Sequence, residues 1–236
     1  ELGLKVAEQW DGLLTRIEAP GTEPPVSDVP PQPLRRQLLE LRFTIANILR
    51  DEADFEGALE LDRQVLAQQK DLLGAGHANT LRTAGSYAAD LRALGRFRES
   101  LPLAEENYQA WRDGFGETDL RTLAAANNLA EAMRTVGDFG AALRIDQGVY
   151  ARRRELLGDN HRYTLHSQAA LGRDRREAGE YAESVVLLRE VVERSSQHLG
   201  DTALGTLNAM VSLAASLRGM GEVTEAAEAV KNAVER

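Results

Sequence analysis

Five arginines recur at a fixed interval. Arg50, Arg92, Arg134, Arg176 and Arg218 stand 42 positions apart. A guanidinium offers a rigid fork of donors that matches a carboxylate two bonds at a time, so a row of them is a candidate reader of acidic groups. Four residues after these arginines come Asp54, Arg96, Asp138, Glu180 and Glu222. Residues four apart share a helix face, so four of the five can form an exposed ion pair inside their own unit. An arginine near a helix C-terminus also complements the dipole there. Two readings therefore stand for the row, pairing within each unit or direct contact with a ligand. Arg92 is followed by the like-charged Arg96, which makes Arg92 with Arg82 the candidate anion-binding spot. Asn127 and Asn128 are adjacent in a helical stretch, although asparagine is a poor helix former. They are read either as ligand contacts or as part of a hydrogen-bond ladder between units. The other units have Phe43-Thr44, Gly85-Ser86, Ala169-Ala170 and Val211-Ser212 there.

Other chemistry is thinly represented. With no cysteine, disulfides, thiolate zinc sites and cysteine nucleophiles are excluded. The four histidines, His77, His161, His166 and His198, form no His-Glu-x-x-His pattern, and no glycine-rich loop carries the Lys and Ser/Thr of a phosphate cradle. Carboxylates are abundant but no acid–base pair is singled out. The expectation is a chain that is not an enzyme and needs neither cofactor nor metal. A net charge of -9 argues against nucleic acid, which demands a basic face. No apolar run approaches the ~18 residues that span a bilayer, and Glu1 to Gln9 does not read as a signal peptide. These features point to the cytoplasm, and the missing initiator Met points to a piece of a longer chain.

The elements that must carry the arginines are repeats. LGAGHANTL at Leu73, FGETDLRTL at Phe115, LGDNHRYTL at Leu157 and LGDTALGTL at Leu199 keep the step of 42, and so do Gly95-Arg96-Phe97, Gly137-Asp138-Phe139, Gly179-Glu180-Tyr181 and Gly221-Glu222-Val223. One step back, Ala53-Asp54-Phe55 has Ala in place of Gly. Each unit reads as two helices, for example about 122–136 and 139–156, with the turn glycine ending the first. Two columns are always small: Ala46, Ala88, Ala130, Gly172 and Ala214 on the first helix, and Ala58, Ser100, Ala142, Ser184 and Ala226 on the second. Small residues at both points let the paired helices approach closely, and stacking of neighbouring pairs completes the core. The expected boundaries are 32–73, 74–115, 116–157, 158–199 and 200–236, after an N-terminal segment 1–31.

The small columns and the Gly-acid-aromatic turn resemble the tetratricopeptide signature. The 42-residue step and the strings TLAAANNLAEAMRTVGDF and ARRRELLGDNH resemble its kinesin-light-chain variety, and are most similar to actinobacterial arrays that follow ATPase modules of the STAND or NB-ARC kind. The resemblance covers about Gln32 to Arg236. It implies an all-α fold, a right-handed superhelical solenoid of about five antiparallel helix pairs. It also implies that the Arg row lines a concave groove beside Asn47, Arg82, Asn127, Asn128, His166, Arg173 and Asn208. Related modules grip a peptide backbone or terminal carboxylate with such residues. The function implied is a scaffold whose groove holds an acidic or C-terminal peptide, as the sensor or docking region of a larger bacterial signalling protein. The alternative is a self-assembly or autoinhibitory module packed on an upstream ATPase domain. In place of the family's Asp-His-Pro, the junctions read Gly76-His77-Ala78, Thr118-Asp119-Leu120 and Asn160-His161-Arg162, which blurs where each first helix should start.

At the ends, Leu4 to Ile17 reads as an amphipathic helix. Ala19 to Pro33, with six of the seven prolines, reads as an extended connector. It either caps the array or forms a hinge to an upstream domain. The last helix is expected to leave Ala226, Ala227, Val230 and Val234 outward, a surface for a homo-oligomer, because a terminal repeat needs a polar face.

Overall fold

A computed structural model describes residues 31–235 together with Gln9 and Gly12. Apart from Gln9 and Gly12, the expected helix at Leu4 to Ile17 lies outside the described residues, as does most of the proline-rich connector. Ten helices run in order: α1 (Pro31–Asp51), α2 (Phe55–Leu73), α3 (Ala78–Ala93), α4 (Phe97–Phe115), α5 (Leu120–Thr135), α6 (Phe139–Leu157), α7 (Arg162–Glu177), α8 (Tyr181–Leu199), α9 (Leu204–Met220) and α10 (Val223–Val234). No strand occurs among the described residues. The fold class is as expected, all-α and built of consecutive helix pairs. The connector is shorter than expected, because Pro31 and Pro33 belong to α1. Proline is tolerated in a first turn, where the missing N–H has no intrahelical acceptor anyway.

The chain divides into two compact units, 1–114 and 115–236. In the first unit, Leu38, Ile45, Ala46 and Leu61 form one cluster of buried side chains, and Leu39, Phe43 and Val65 form another. In the second, Leu165, Val185, Leu188, Val191, Leu213, Leu217 and Ala226 share one core. Ala226 therefore points inward, against the expectation that it lies on the outer face of the last helix. Val230 and Val234 do lie outward, 45% and 79% exposed.

Both small columns are buried where the paired helices meet, and two serines show how close they come. Ser100 Oγ donates to the Ala88 carbonyl at 2.7 Å, and Ser184 Oγ to the Gly172 carbonyl at 2.5 Å. Each bond joins the small residue of a second helix to the small residue of its partner helix. A Cβ at Gly172 would stand 2.6 Å from Cγ of Leu188, so only glycine leaves room for that leucine.

The junctions are sharper than their sequence promised. His77, Asp119 and His161 occupy equivalent positions and each caps the helix that follows. Asp119 Oδ1 accepts from the Arg121 amide at 2.8 Å, and the Nδ1 atoms of His77 and His161 accept from the Asn79 and Tyr163 amides at 3.2 Å. A side-chain acceptor that satisfies an orphan amide starts a helix without proline. Asp54 and Asp138 cap α2 and α6 in the same way, through the Gly57 and Ala141 amides at 2.9 and 3.0 Å.

The turn inside each pair reverses through a left-handed residue. Gly95, Gly137, Gly179 and Gly221 have φ of 75 to 88°, and the first pair places Ala53 at φ 62° instead. The Asp54 amide still closes on the Leu49 carbonyl at 2.8 Å, so the alanine accepts the strain to keep the turn. The change Ala53→Gly relieves a Cβ clash worth about 1–2 kcal/mol, offset in part by the freer unfolded chain. A net gain of about 0.5–1 kcal/mol is expected as a raised denaturant midpoint at unchanged slope.

Candidate functional site

The arginine row divides by partner. Arg50 lies between two buried carboxylates. Its Nη2 donates to Asp62, and its Nε donates to Asp90 at 2.6 Å. Two steps along, Arg134 Nη1 donates to Asp146 at 2.6 Å and to Asp174 at 2.7 Å. In each cluster one Asp comes from the second helix of the same pair and the other from the first helix of the next pair. The arginine therefore ties successive pairs together. The exposed i+4 pairing expected for Arg50 and Arg134 is not what forms, because Asp54 and Asp138 are engaged as helix caps. The Arg134 side chain is only 12% exposed, and those of Asp146 and Asp174 are fully buried.

One guanidinium between two carboxylates leaves a net negative charge away from water, and burial favours the neutral acid. Burial pushes the Asp62 carboxyl up to about 7, against the attraction of Arg50. Burial likewise raises Asp90, and it raises Asp174 to about 6, where the Arg134 charge opposes the shift and the Asp146 charge adds to it. For Arg134, burial disfavours the cation, but Asp174 and Asp146 outweigh it and its pKa is raised.

In the second unit this cluster continues into a cleft. Asn127 Nδ2 donates to Asp146 Oδ1 at 2.5 Å, and Asn127 Oδ1 accepts from Arg153 Nη1 at 2.5 Å. The same Nη1 donates to Ser167 Oγ at 2.8 Å. Asn127 is thus a bridge inside its own helix pair, rather than a rung between units. Arg153, with Asn128, Arg162, Tyr163, His166 and His198, lines a cleft of about 830 Å³. A second hollow of about 310 Å³ shares Arg162 and His166 with it and adds Glu131, Arg173 and Asn208 over an apolar floor that includes Leu165 and Val191. Burial among these walls, and then the Arg173 charge, hold the His166 ring below its ordinary value, although water still reaches the side chain.

Of the residues singled out in the sequence, Asn127, Asn128, His166, Arg173 and Asn208 come together around these hollows. Arg173 approaches Glu131 at 3.9 Å. The rest do not join them. Asn47 accepts from Arg50 Nη1 inside the first unit's cluster. Arg82, half of the expected anion spot, is paired with Glu40 at 2.6 Å and stacked over the Phe43 ring at 4.3 Å. Arg92 is half-buried, and its charge acts on Asp90. Arg176 pairs with Glu177 at 2.8 Å, and Arg218 is exposed on the last turns of α9. Sequence reasoning missed Arg153. Its signal was an arginine in a column that otherwise holds Gln69, Trp111 and Ser195, all buried. Among the described residues no three metal-ligating side chains gather, and no helix is long and apolar enough to cross a membrane.

Removing a buried cation strands its carboxylates, so Arg134→Ala should cost about 3–5 kcal/mol in chemical denaturation. Arg152→Ala, which removes only an exposed pair with Glu155, should cost almost nothing. The raised Asp62 carboxyl binds a proton more tightly folded than unfolded. Its contribution is fully present below about pH 4 and is lost as pH rises through about 7. In Asp62→Asn that loss disappears, so the variant should gain on wild type in melting temperature between pH 5 and 8.

Comparison with known proteins agrees with this architecture. The tetratricopeptide repeat model matches residues 37–113, 81–151 and 121–197. No match was found among curated protein sequences. Among solved structures, the chain is similar to a kinesin light chain protein of Podosopora anserina with nearly identical TPR-like repeats. That match has a TM-score of 0.66 and 25% identity over 87% of this chain and 95% of the other. BtubC (BKLC) from P. vanneervenii gives a TM-score of 0.69 at 15% identity, over 99% and 87%. The apo form of RapI gives 0.65 at 9% identity, over 98% and 89%. Tetratricopeptide repeats are scaffolds for protein–protein interaction and not catalysts. With matched stretches running from residue 37 to residue 197, the chain belongs to the tetratricopeptide repeat family.

Proposed function

We propose that the cleft of the second unit holds an extended segment of a partner protein with acidic side chains or a terminal carboxylate. One observation carries this reading: Asn128, Arg153, Arg162, His166 and Arg173 converge on two hollows that share walls. Amides there suit a peptide backbone, guanidinium forks suit carboxylates, and the apolar floor suits one side chain between them. Arg162 donates to the Tyr163 hydroxyl at 2.7 Å and lies over its ring at 4.6 Å, which pre-orders the fork without neutralising it. The site thereby moves from the expected Arg82 and Arg92 to the Arg153–Arg162–Arg173 group. The resemblance to arrays that follow ATPase modules supports placing this scaffold in the sensor or docking region of a larger bacterial signalling protein in the cytoplasm.

The test is fluorescence anisotropy with labelled acidic peptides at low and moderate salt. Arg162→Glu should weaken binding by about tenfold or more, corresponding to a lost carboxylate contact of about 1.5–3 kcal/mol. Arg82→Glu should leave binding unchanged. Equal binding by all three proteins would sink the reading. A second reading, self-association, is favoured by Val223, Val230 and Val234, which are 64%, 45% and 79% exposed on α10. A dimer in sedimentation velocity that Val230→Glu dissolves would establish it.

A further inference from the structure

The buried cluster of the second unit is joined to the cleft by an unbroken chain of hydrogen bonds. From Asp174 it runs through Arg134 to Asp146, then through Asn127 to Arg153 in the cleft wall, with no step longer than 2.7 Å. Every member is at least largely buried. The Asp146 and Asp174 carboxyls accept from the same Arg134 Nη1, at 2.6 and 2.7 Å, which places two like charges side by side on one cation. Asp174 Oδ2 is buried and has no partner, and Asp174 is 1% exposed. Two carboxylates that share one cation repel each other, and a proton on one of them removes that repulsion. A proton on Asp174 brings the cluster of Asp174, Arg134 and Asp146 to zero net charge.

We propose that the Asp146–Asp174 pair is a proton-operated control of the cleft, which sets how much positive charge Arg153 and its neighbours present to an anionic ligand. This rests on the reading of the cleft as a site for acidic segments. With the pair protonated, Arg134 balances the one remaining carboxylate. Asn127 then bonds Asp146 in a neutral cluster, and Arg153 keeps its full charge for the cleft. When the proton leaves, the cluster, whose nearest member Asp146 is two hydrogen bonds from Arg153, gains one negative charge. That charge opposes the approach of an anion.

The groups that face the pair are few. From α5 come Arg134 and Glu131, from α6 Asp146 and Arg153, and from α7 itself Arg173 and His166. On α8, Glu190 is engaged by Gln168 and Arg194, and α9 brings Ser216 against Ser184. The Asp146 charge is felt by Arg153, by His166 and by Arg173, so its effect reaches three cleft groups together. Burial sets the working range by raising Asp174 to about 6. Below that pH Asp174 is protonated and the cleft is more cationic, and above it Asp174 is ionised and the cleft less so. His166 gains charge in the same direction, which is why the test must separate the two. Linkage is reciprocal: an anion bound in the cleft must raise the proton affinity of the pair by the same factor.

The test uses the whole chain and begins without ligand. The side-chain Nε–H resonance of Arg153 is followed by NMR from pH 4.5 to 8, beside the carboxyl carbons of Asp146 and Asp174 and the ring of His166. The Arg153 resonance is expected to shift with the midpoint of the carboxyl pair, to lose that shift in Asp174→Asn, and to keep it in His166→Gln. Should Asp174→Asn fail to fold, the wild-type midpoints decide the matter. An Arg153 resonance that is flat, or that follows the His166 ring alone, overturns the proposal. The second arm measures a rhodamine-labelled Glu- and Gly-containing peptide by anisotropy. His166→Gln should still bind it at least about fivefold tighter at pH 5.5 than at 7.5, and Asp174→Asn with His166→Gln should not. Binding to His166→Gln that does not change with pH overturns the proposal. No binding of the peptide at any pH removes the assigned ligand, and with it the reading of the site, whatever the resonances show of the proton.

Discussion

A guanidinium shut in with two carboxylates is the interaction around which this chain is organised. Its energetic logic is unusual for a helical repeat. Most of the fold rests on apolar burial and on small residues that let paired helices touch, and such contacts tolerate small slides. The Arg50 and Arg134 clusters do not. Each arginine must reach an aspartate in its own pair and another in the next, and a buried charge without a partner costs several kcal/mol. Replacing a whole buried ion cluster by well-packed apolar side chains is often neutral or stabilising, so stability alone does not account for such a cluster. What the clusters add is register, since only one placement of the next pair satisfies the fork.

The clusters also explain why the arginine row misleads. All five members look alike in sequence, and the row invites one explanation for all. The structure assigns different work to each. Arg50 and Arg134 are joined to aspartates that stand 12 and 40 residues away. Where those acids would recur, the intervening pairs have Ala104 and Ala132. Arg176 turns to Glu177. The cations that face the cleft come mainly from elsewhere, Arg153 from a second helix and Arg162 from a helix start.

The fold was plain in the sequence because it is written in short-range terms. The turn glycines, the small columns and the 42-residue step each act within a few residues or one neighbouring pair, and the observed helices end where those signals stand. The starts of α3, α5 and α7 were less plain because capping by a histidine or an aspartate replaces the family's proline, and side-chain caps are legible only once the amide they serve is known. Half of the cleft was legible, since Asn127, Asn128, His166, Arg173 and Asn208 follow from columns. Arg82 was misjudged because its carboxylate, Glu40, comes from the same column one repeat earlier. A helix-local i+4 rule cannot see that contact. Arg153 was missed because a buried arginine looks, residue by residue, like a solvated one.

Asp62 and Asp146 stand two steps apart, as do Asp90 and Asp174, so the cluster repeats every second pair rather than every pair. The backbone counts in steps of one while the buried charges count in steps of two. Anyone shortening, lengthening or recombining this array therefore has a preferred unit of exchange. A cut between Arg50 and Asp90, or between Arg134 and Asp174, leaves half a cluster on each piece. A cut near residue 115 leaves both clusters whole. Duplication by whole doublets would preserve the chemistry of the joints, whereas duplicating the first unit alone would set Ile48 where Asp90 is required, and duplicating the third alone would set Ala132 where Asp174 is.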